Sequence, residues 1–323
     1  MRALDAAGNM SGFSNAASAT VPAAPPPPPA GTLKGWQLNE TNIGLAPHGL
    51  NCASLAVYSG AEKPAPGTSI TEKRIEHFID LSAGNIVIER SCIRPTTHVK
   101  SGAIASTTDA NRCGVSDCPV TPTTVTIRDS EIDGSAITND ETIAFSCAFD
   151  GIADLYRNYM HDTGSGICFT NSGPSLSAVV ENNYVTRLRA WGDAGTTGSH
   201  NESMTVRDFD PRSRPERSLT IRSNRFVSKS GNDSAAFFIQ PFGGYIDQVL
   251  IRDNVLESFN VGLALEVRPN GYGSHMRALN NRFVRGQSGP AYVDGGPGWA
   301  EWSENHFYDA AAPDAKGQLI PVP

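Results

Sequence analysis

A degenerate unit of the form apolar-x-apolar-x-x-Asn/Ser-x-apolar recurs eight times along this chain, and it limits the possible folds more than any other feature. The copies are IVIERSCI around Ser91, VTIRDSEI around Ser130, ADLYRNYM around Asn158, AVVENNYV around Asn183, LTIRSNRF around Asn224, VLIRDNVL around Asn254, MRALNNRF around Asn281 and WAEWSENHF around Asn305. The keyed positions are separated by 39, 28, 25, 41, 30, 27 and 24 residues. A unit this short cannot close its own core, so the units must stack to bury their inward faces. Apolar residues at every second position specify strands, not the helices of other solenoids. The keyed polar residue then has a physical task. Placed at the same tight turn in each coil, its side chain can hydrogen-bond the turns above and below.

An inward stack of this kind resembles the asparagine ladder of right-handed parallel β-helices such as pectate lyases, and the resemblance covers about Asn85 to Asp309. It implies an all-β, single-stranded solenoid of about eight or more coils, a column of roughly 35–40 Å at ~4.8 Å per strand. An ordinary β-sandwich is the competing architecture, but it has no reason to repeat one polar residue at a fixed place. Residues 33–84 are less regular and are expected to form an N-terminal cap over the open coil end, where unpaired strand edges would otherwise be exposed. The long intervals of 39 and 41 residues must hold inserted loops, around Lys100–Thr124 and Arg187–Glu216.

Composition agrees with a folded all-β chain: 39% hydrophobic and 18% charged residues, with 31 Gly and 22 Pro to supply turns. A net charge of −7 argues against nucleic-acid binding, but a local arginine cluster could still hold an anionic polymer. No segment reads as membrane-spanning. Residues 1–21 contain Asp5-Ala-Ala-Gly-Asn9 followed by Ser11 and Ser14, which resembles the last hairpin of a fibronectin type III domain. Residues 22–32 include the run Pro25 to Pro29, a semi-rigid linker, and 33–323 form the repeat domain. Modules on such linkers are common in secreted bacterial carbohydrate-active proteins, so an extracellular location is expected. The six cysteines fit that setting as disulfides, with Cys113 and Cys118 the expected pair; a zinc site there lacks further ligands.

The third strand of each coil is expected at Ser165–Thr170, Glu202–Phe209, Ala235–Gln240, Gly262–Arg268 and Ala291–Asp294. With Ile167, Met204, Phe237 and Leu265 inward, the residues Thr170, Thr205, Arg207, Phe238, Gln240, Glu266 and Arg268 face solvent in rows suited to a sugar polymer. The sharper candidate is Trp191-Gly-Asp193-Ala-Gly-Thr-Thr-Gly-Ser-His200-Asn-Glu202, where a long loop enters a strand. One coil earlier, His161-Asp162 is expected to stack against His200 and Glu202 as an acid/base constellation. The run His200-Asn-Glu202-Ser-Met-Thr205 resembles the His-Asn-Asp-Gly-Ile-Gln motif of a large group of bacterial β-helix proteins. Glu for Asp and Thr for Gln depart from that motif, so the resemblance assigns Glu202 no role. A fainter likeness to polygalacturonases lacks their paired-Asp and Arg-Ile-Lys signatures.

The expected activity is therefore β-elimination on a uronate-containing polysaccharide, with an arginine pairing the substrate carboxylate. Candidate arginines are Arg187, Arg189, Arg207, Arg222, Arg252 and Arg268. His200 is the expected base, with Glu202 or Asp162 either orienting it or holding a cation and Arg207 in the same catalytic set. His161, Arg189, Trp191, Arg222, Phe238, Gln240, Arg252, Glu266 and Arg268 are expected to contact substrate. Calcium is the one cofactor considered, with Asp193 and Asp208 as ligands. A glycoside hydrolase using Asp162 and Glu202 ranks second. A non-catalytic carbohydrate-binding stalk or adhesin ranks third, and a uronate epimerase would fit the same fold.

Overall fold

A computed structural model describes residues 33–96, 102–109, 121 and 123–323. The fibronectin-like stretch, the linker and the expected Cys113–Cys118 pair lie outside the described residues. Among the described residues three sheets of nine, eleven and eight strands run along one column, parallel except for the final strand of the eleven, and from residue 69 on each coil but the last contributes one strand to each sheet. This is a parallel β-helix.

The period-two pattern determines the first sheet. Its inward column runs Ile70, Ile88, Ile127, Leu155, Val180, Ile221, Ile251 and Ala278 in direct register, and every member is buried. Aliphatic side chains stacked at the ~4.8 Å strand spacing fill a narrow column without voids.

The turn between the first and second sheets carries the ladder. All eight keyed residues are 0% exposed. From Asn158 to Asn305 each side-chain amide donates to the oxygen of the next at 3.0 Å, and each also donates to a backbone carbonyl one coil back, as Asn224 does to Val180 at 2.9 Å. The same oxygen accepts the preceding ladder residue's backbone N–H, for example Asn183 N to Asn224 Oδ1 at 2.8 Å. No amide hydrogen-bonding capacity is wasted in this dry turn. The residue before each ladder position takes a left-handed conformation: Arg90, Asp129, Arg157, Asn182, Ser223, Asp253, Asn280 and Glu304 all have φ between 46° and 60°. That costs energy for non-glycine residues, and the ladder bonds hold it in place.

Only part of the segment expected as an N-terminal cap, 33–84, does that work: Ala56–Val57 pairs with Lys73–Ile75 and the Asp80 N–H donates to Glu62 O at 2.8 Å, covering edges of the first coil. A complete coil precedes the first recognised repeat, with strands Ser69–Thr71, Lys73–Ile75 and Ile79–Asp80. Its ladder position is Lys73, whose backbone N–H alone binds Ser91 Oγ at 3.1 Å, so the motif gives no sign of it. Residues 33–55 instead form a strap along the column, running back over several coils. Gly35 N donates to Asp253 O and Gly44 N to Arg157 O, both at 3.0 Å. A Cβ on Gly35 would stand 2.3 Å from Asn224 O, so the strap requires glycine there. The strap ends at Cys52, which is disulfide-bonded to Cys92 in the second sheet. At the far end, Lys316–Leu319 pairs antiparallel with His306–Tyr308 and covers the last strand edge.

Candidate functional site

The third sheet carries the site. Ile167, Met204, Phe237 and Leu265 point inward and are fully buried, as expected from the pattern. Simple alternation back from Thr205 would turn Ser203 outward and Glu202 inward. The strand Asn201–Val206 departs from it: Ser203 also turns in, where its Oγ meets Ser228 Oγ at 2.7 Å, and the register to the next strand shifts between Asn201 and Glu202. The neighbouring strand does the same, with Ala236 and Phe237 in the main core while Ala235 and Phe238 join an outer cluster. This irregularity aims Glu202 into the same outer pocket as Thr205 and Arg207.

That pocket, of about 360 Å³, is lined by Phe145, Asp150, Ser165, Thr170, His200, Glu202, Thr205 and Arg207, with the disulfide-bonded Cys147 and Cys168 in its wall. Burial pushes the Glu202 carboxyl up to about 7, against the nearby Arg207 charge and hydrogen bonds with Ser234 and Ser165. Burial likewise pushes Asp150 up to about 6, against hydrogen bonds from Thr170 and Thr108. Asp150 pairs with Cys168 and Cys168 with Thr205, three residues along the strand from Glu202, so the two acids are offset by two strands across the sheet and three residues along it, ~14 Å between their backbones. The Arg207 side chain makes no hydrogen bond or ion pair among the described residues, and its Nε is buried without a partner. His200 sits exposed at the rim, Nδ1 3.3 Å from Ser234 Oγ. The pocket therefore combines two acids raised by burial, Glu202 to about 7 and Asp150 to about 6, with one unpaired cation and one rim imidazole.

Several expected members lie elsewhere. His161 and Asp162 do not stack on His200 and Glu202: His161 is in register with Thr186 in the second sheet, and Asp162 N donates to Arg187 O. The loop from 187 to 200 intervenes before the third sheet, and Ser165 is the residue that meets Glu202, accepting its N–H at 3.2 Å. His161 is enclosed by Glu131 at 2.9 Å and Asp162 at 2.7 Å. Asp162 is held well below the usual carboxylate range, since bonds from His161 and Arg187 overcome its burial. The expected arginine cluster also disperses. Arg222 and Arg252 lie on the first sheet beside Glu181 and Asp253, Arg187 binds Asp162, and Arg189 binds Ile137 O and Asp140. Only Arg207 enters the pocket.

Phe238, Gln240 and Glu266 do line the outer face of the next coils. Gln240 donates to Thr205 at 3.3 Å, while Arg268 pairs with Glu266 and covers the exposed Phe242. Asp150 was not anticipated, because the loop joining the third strand to the next ladder turn varies in length and gives no register from sequence. A Cys147–Cys168 pairing was the signal that could have located it, since that disulfide ties adjacent coils beside Asp150.

Asp193 and Asp208 flank opposite ends of the strand Asn201–Val206, ~20 Å apart along it, so they cannot share a cation. Among the described residues, Glu131, Asp133 and His161 offer ligand atoms within 4.8 Å of one another. Arg94 already pairs with Asp133 at 2.8 Å and Arg187 lies 2.7 Å from His161, so that group is an ion network and does not suit a cation.

The stacked sheets and their ladder define a parallel β-helix protein bearing a polar pocket on its third sheet. No known protein family, curated protein or solved structure was found to match the chain. The two disulfides among the described residues point to an oxidising compartment, and no helix among those residues is long and apolar enough to cross a membrane.

Proposed function

We propose that this is a secreted, pectate-lyase-like protein that cleaves an anionic, uronate-bearing polysaccharide by β-elimination in the third-sheet pocket. The observation that carries this reading is Arg207, a guanidinium without a hydrogen-bond or ion-pair partner among the described residues, lining one pocket with Glu202, whose burial raises its carboxyl to about 7. The Arg207 fork would pair with the substrate carboxylate and stabilise the charge that develops as the C5 proton leaves. His200 at the rim would take that proton. Glu202, protonated up to about pH 7, would give its own to the departing glycosidic oxygen. The C5–H and C4–O bonds break, a C4–C5 double bond forms, and the chain is cut without water. None of these steps requires calcium.

The test is ultraviolet absorbance during incubation with alginate, pectate, glucuronan and glycosaminoglycans, with and without calcium. A rise from unsaturated uronate supports elimination and names the polymer. A second reading, glycoside hydrolysis, would use Asp150 and Glu202, which both line the pocket. New reducing ends without absorbance, lost in Asp150→Asn, would replace the first reading with the second. Binding without product on any polymer would leave a carbohydrate-binding stalk.

A further inference from the structure

We propose that Phe145 and Trp191 form a stacking subsite for one sugar ring at the edge of the pocket. The inference rests on reading the pocket as a glycan site, but not on which bond is cut there. The two rings come from insertions in different coils, the helix Asp140–Ala144 with its C-terminal residue Phe145 and the loop leading to His200. Their centroids are 6.1 Å apart, tilted at 57°.

The helix is capped by Asn139, which accepts the Thr142 N–H at 2.9 Å, and it buries Ile143 and Ala144 in the core. Phe145 is left outside, 50% exposed, and it lines the pocket with His200 and Glu202. The Trp191 backbone is fixed on both sides: its N–H donates to Ser199 Oγ at 3.0 Å, and its carbonyl accepts from Ser199 N at 2.9 Å and Asn232 Nδ2 at 3.2 Å. The two insertions are also tied to each other. Arg189 donates to Ile137 O at 2.9 Å, and Asn201 Nδ2 donates to Ala144 O at 3.0 Å.

Two aromatic rings held rigid beside a polar pocket offer a ligand a preformed apolar face at little ordering cost. A pyranose ring fits: it offers a flat C–H face to an aromatic ring while its rim of hydroxyls stays in water. Continuity with the pocket places this ring beside the sugar whose carboxylate would reach Arg207. An extended polymer supplies both sugars at once.

The experiment titrates the Glu202→Gln variant, which holds substrate uncut, with oligogalacturonate, oligomannuronate and neutral cello-oligosaccharides, following tryptophan fluorescence and heat of binding. The expected result is a saccharide-dependent fluorescence change that disappears in Trp191→Phe. Phe145→Ala should weaken binding about tenfold and Phe145→Tyr should restore it. Binding unchanged in folded Phe145→Ala and Trp191→Ala variants overturns the subsite, even if the wild type cleaves a polymer. Phe145-dependent binding with no cleavage of any polymer upholds the subsite and overturns the elimination reading. Absence of any saccharide-dependent signal overturns the subsite.

Discussion

Glu202 is a carboxylic acid whose burial raises its folded-state pKa from 4.5 to about 7. Between those values the folded chain keeps a proton that the unfolded chain releases, so its stabilising effect is complete at low pH and is lost as pH rises to 7. Asp150 adds the same trend up to about 6. Glu202→Gln cannot ionise. Going from pH 4 to pH 8, urea denaturation should show the variant gaining ~3 kcal/mol relative to wild type. A parallel pH dependence in both proteins would mean that Glu202 is not protonated by burial. The same variant should lose most of its turnover. Arg207→Ala should reduce kcat/KM at least about a hundredfold, with Arg207→Lys only partly restoring it, because an ammonium cannot pair bidentately. Equal loss on a neutral glycan would show that Arg207 is not reading a carboxylate. The residue types at this site were visible in the sequence, but their aim was not: one departure from alternation turns Glu202 outward, and no local pattern announces it.

At the scale of the turn and strand, the ladder is where sequence and structure agree most closely. Asn224→Ala would strip the acceptor from the Asn183 backbone N–H and side-chain amide, and the donor from Val180 O. Each unsatisfied buried group costs ~1–3 kcal/mol, so a loss of about 3 kcal/mol or more is expected in chemical denaturation. A loss below about 1 kcal/mol would mean that water replaces the amide. The periodic copies could be found because each coil must solve the same hydrogen-bonding problem at the same turn. The coil at residues 69–80 escaped notice because Lys73 takes part only through its backbone. His161 was misplaced because its strand belongs to the second sheet, and a long insertion breaks the register before the third.

For the molecule as a whole, stacking leaves two open ends that must be closed. Removing residues 316–323 would uncover the edge of His306–Tyr308 and the Trp302 ring, whose Nε1 donates to Ile320 O at 3.0 Å. The truncated chain should self-associate with rising concentration in light scattering, and a monodisperse product would show that the antiparallel strand is not an edge guard. The sequence by itself determined the solenoid: period-two apolar positions and a repeated turn amide leave few other ways to bury the core. Only the tertiary structure decided where the chemistry sits. A β-helix sets the register between coils by stacking, whereas the loops between its sheets vary in length. Asp150, 52 residues before Glu202, therefore shares its pocket, while Asp162, 40 residues before it, faces another side of the column.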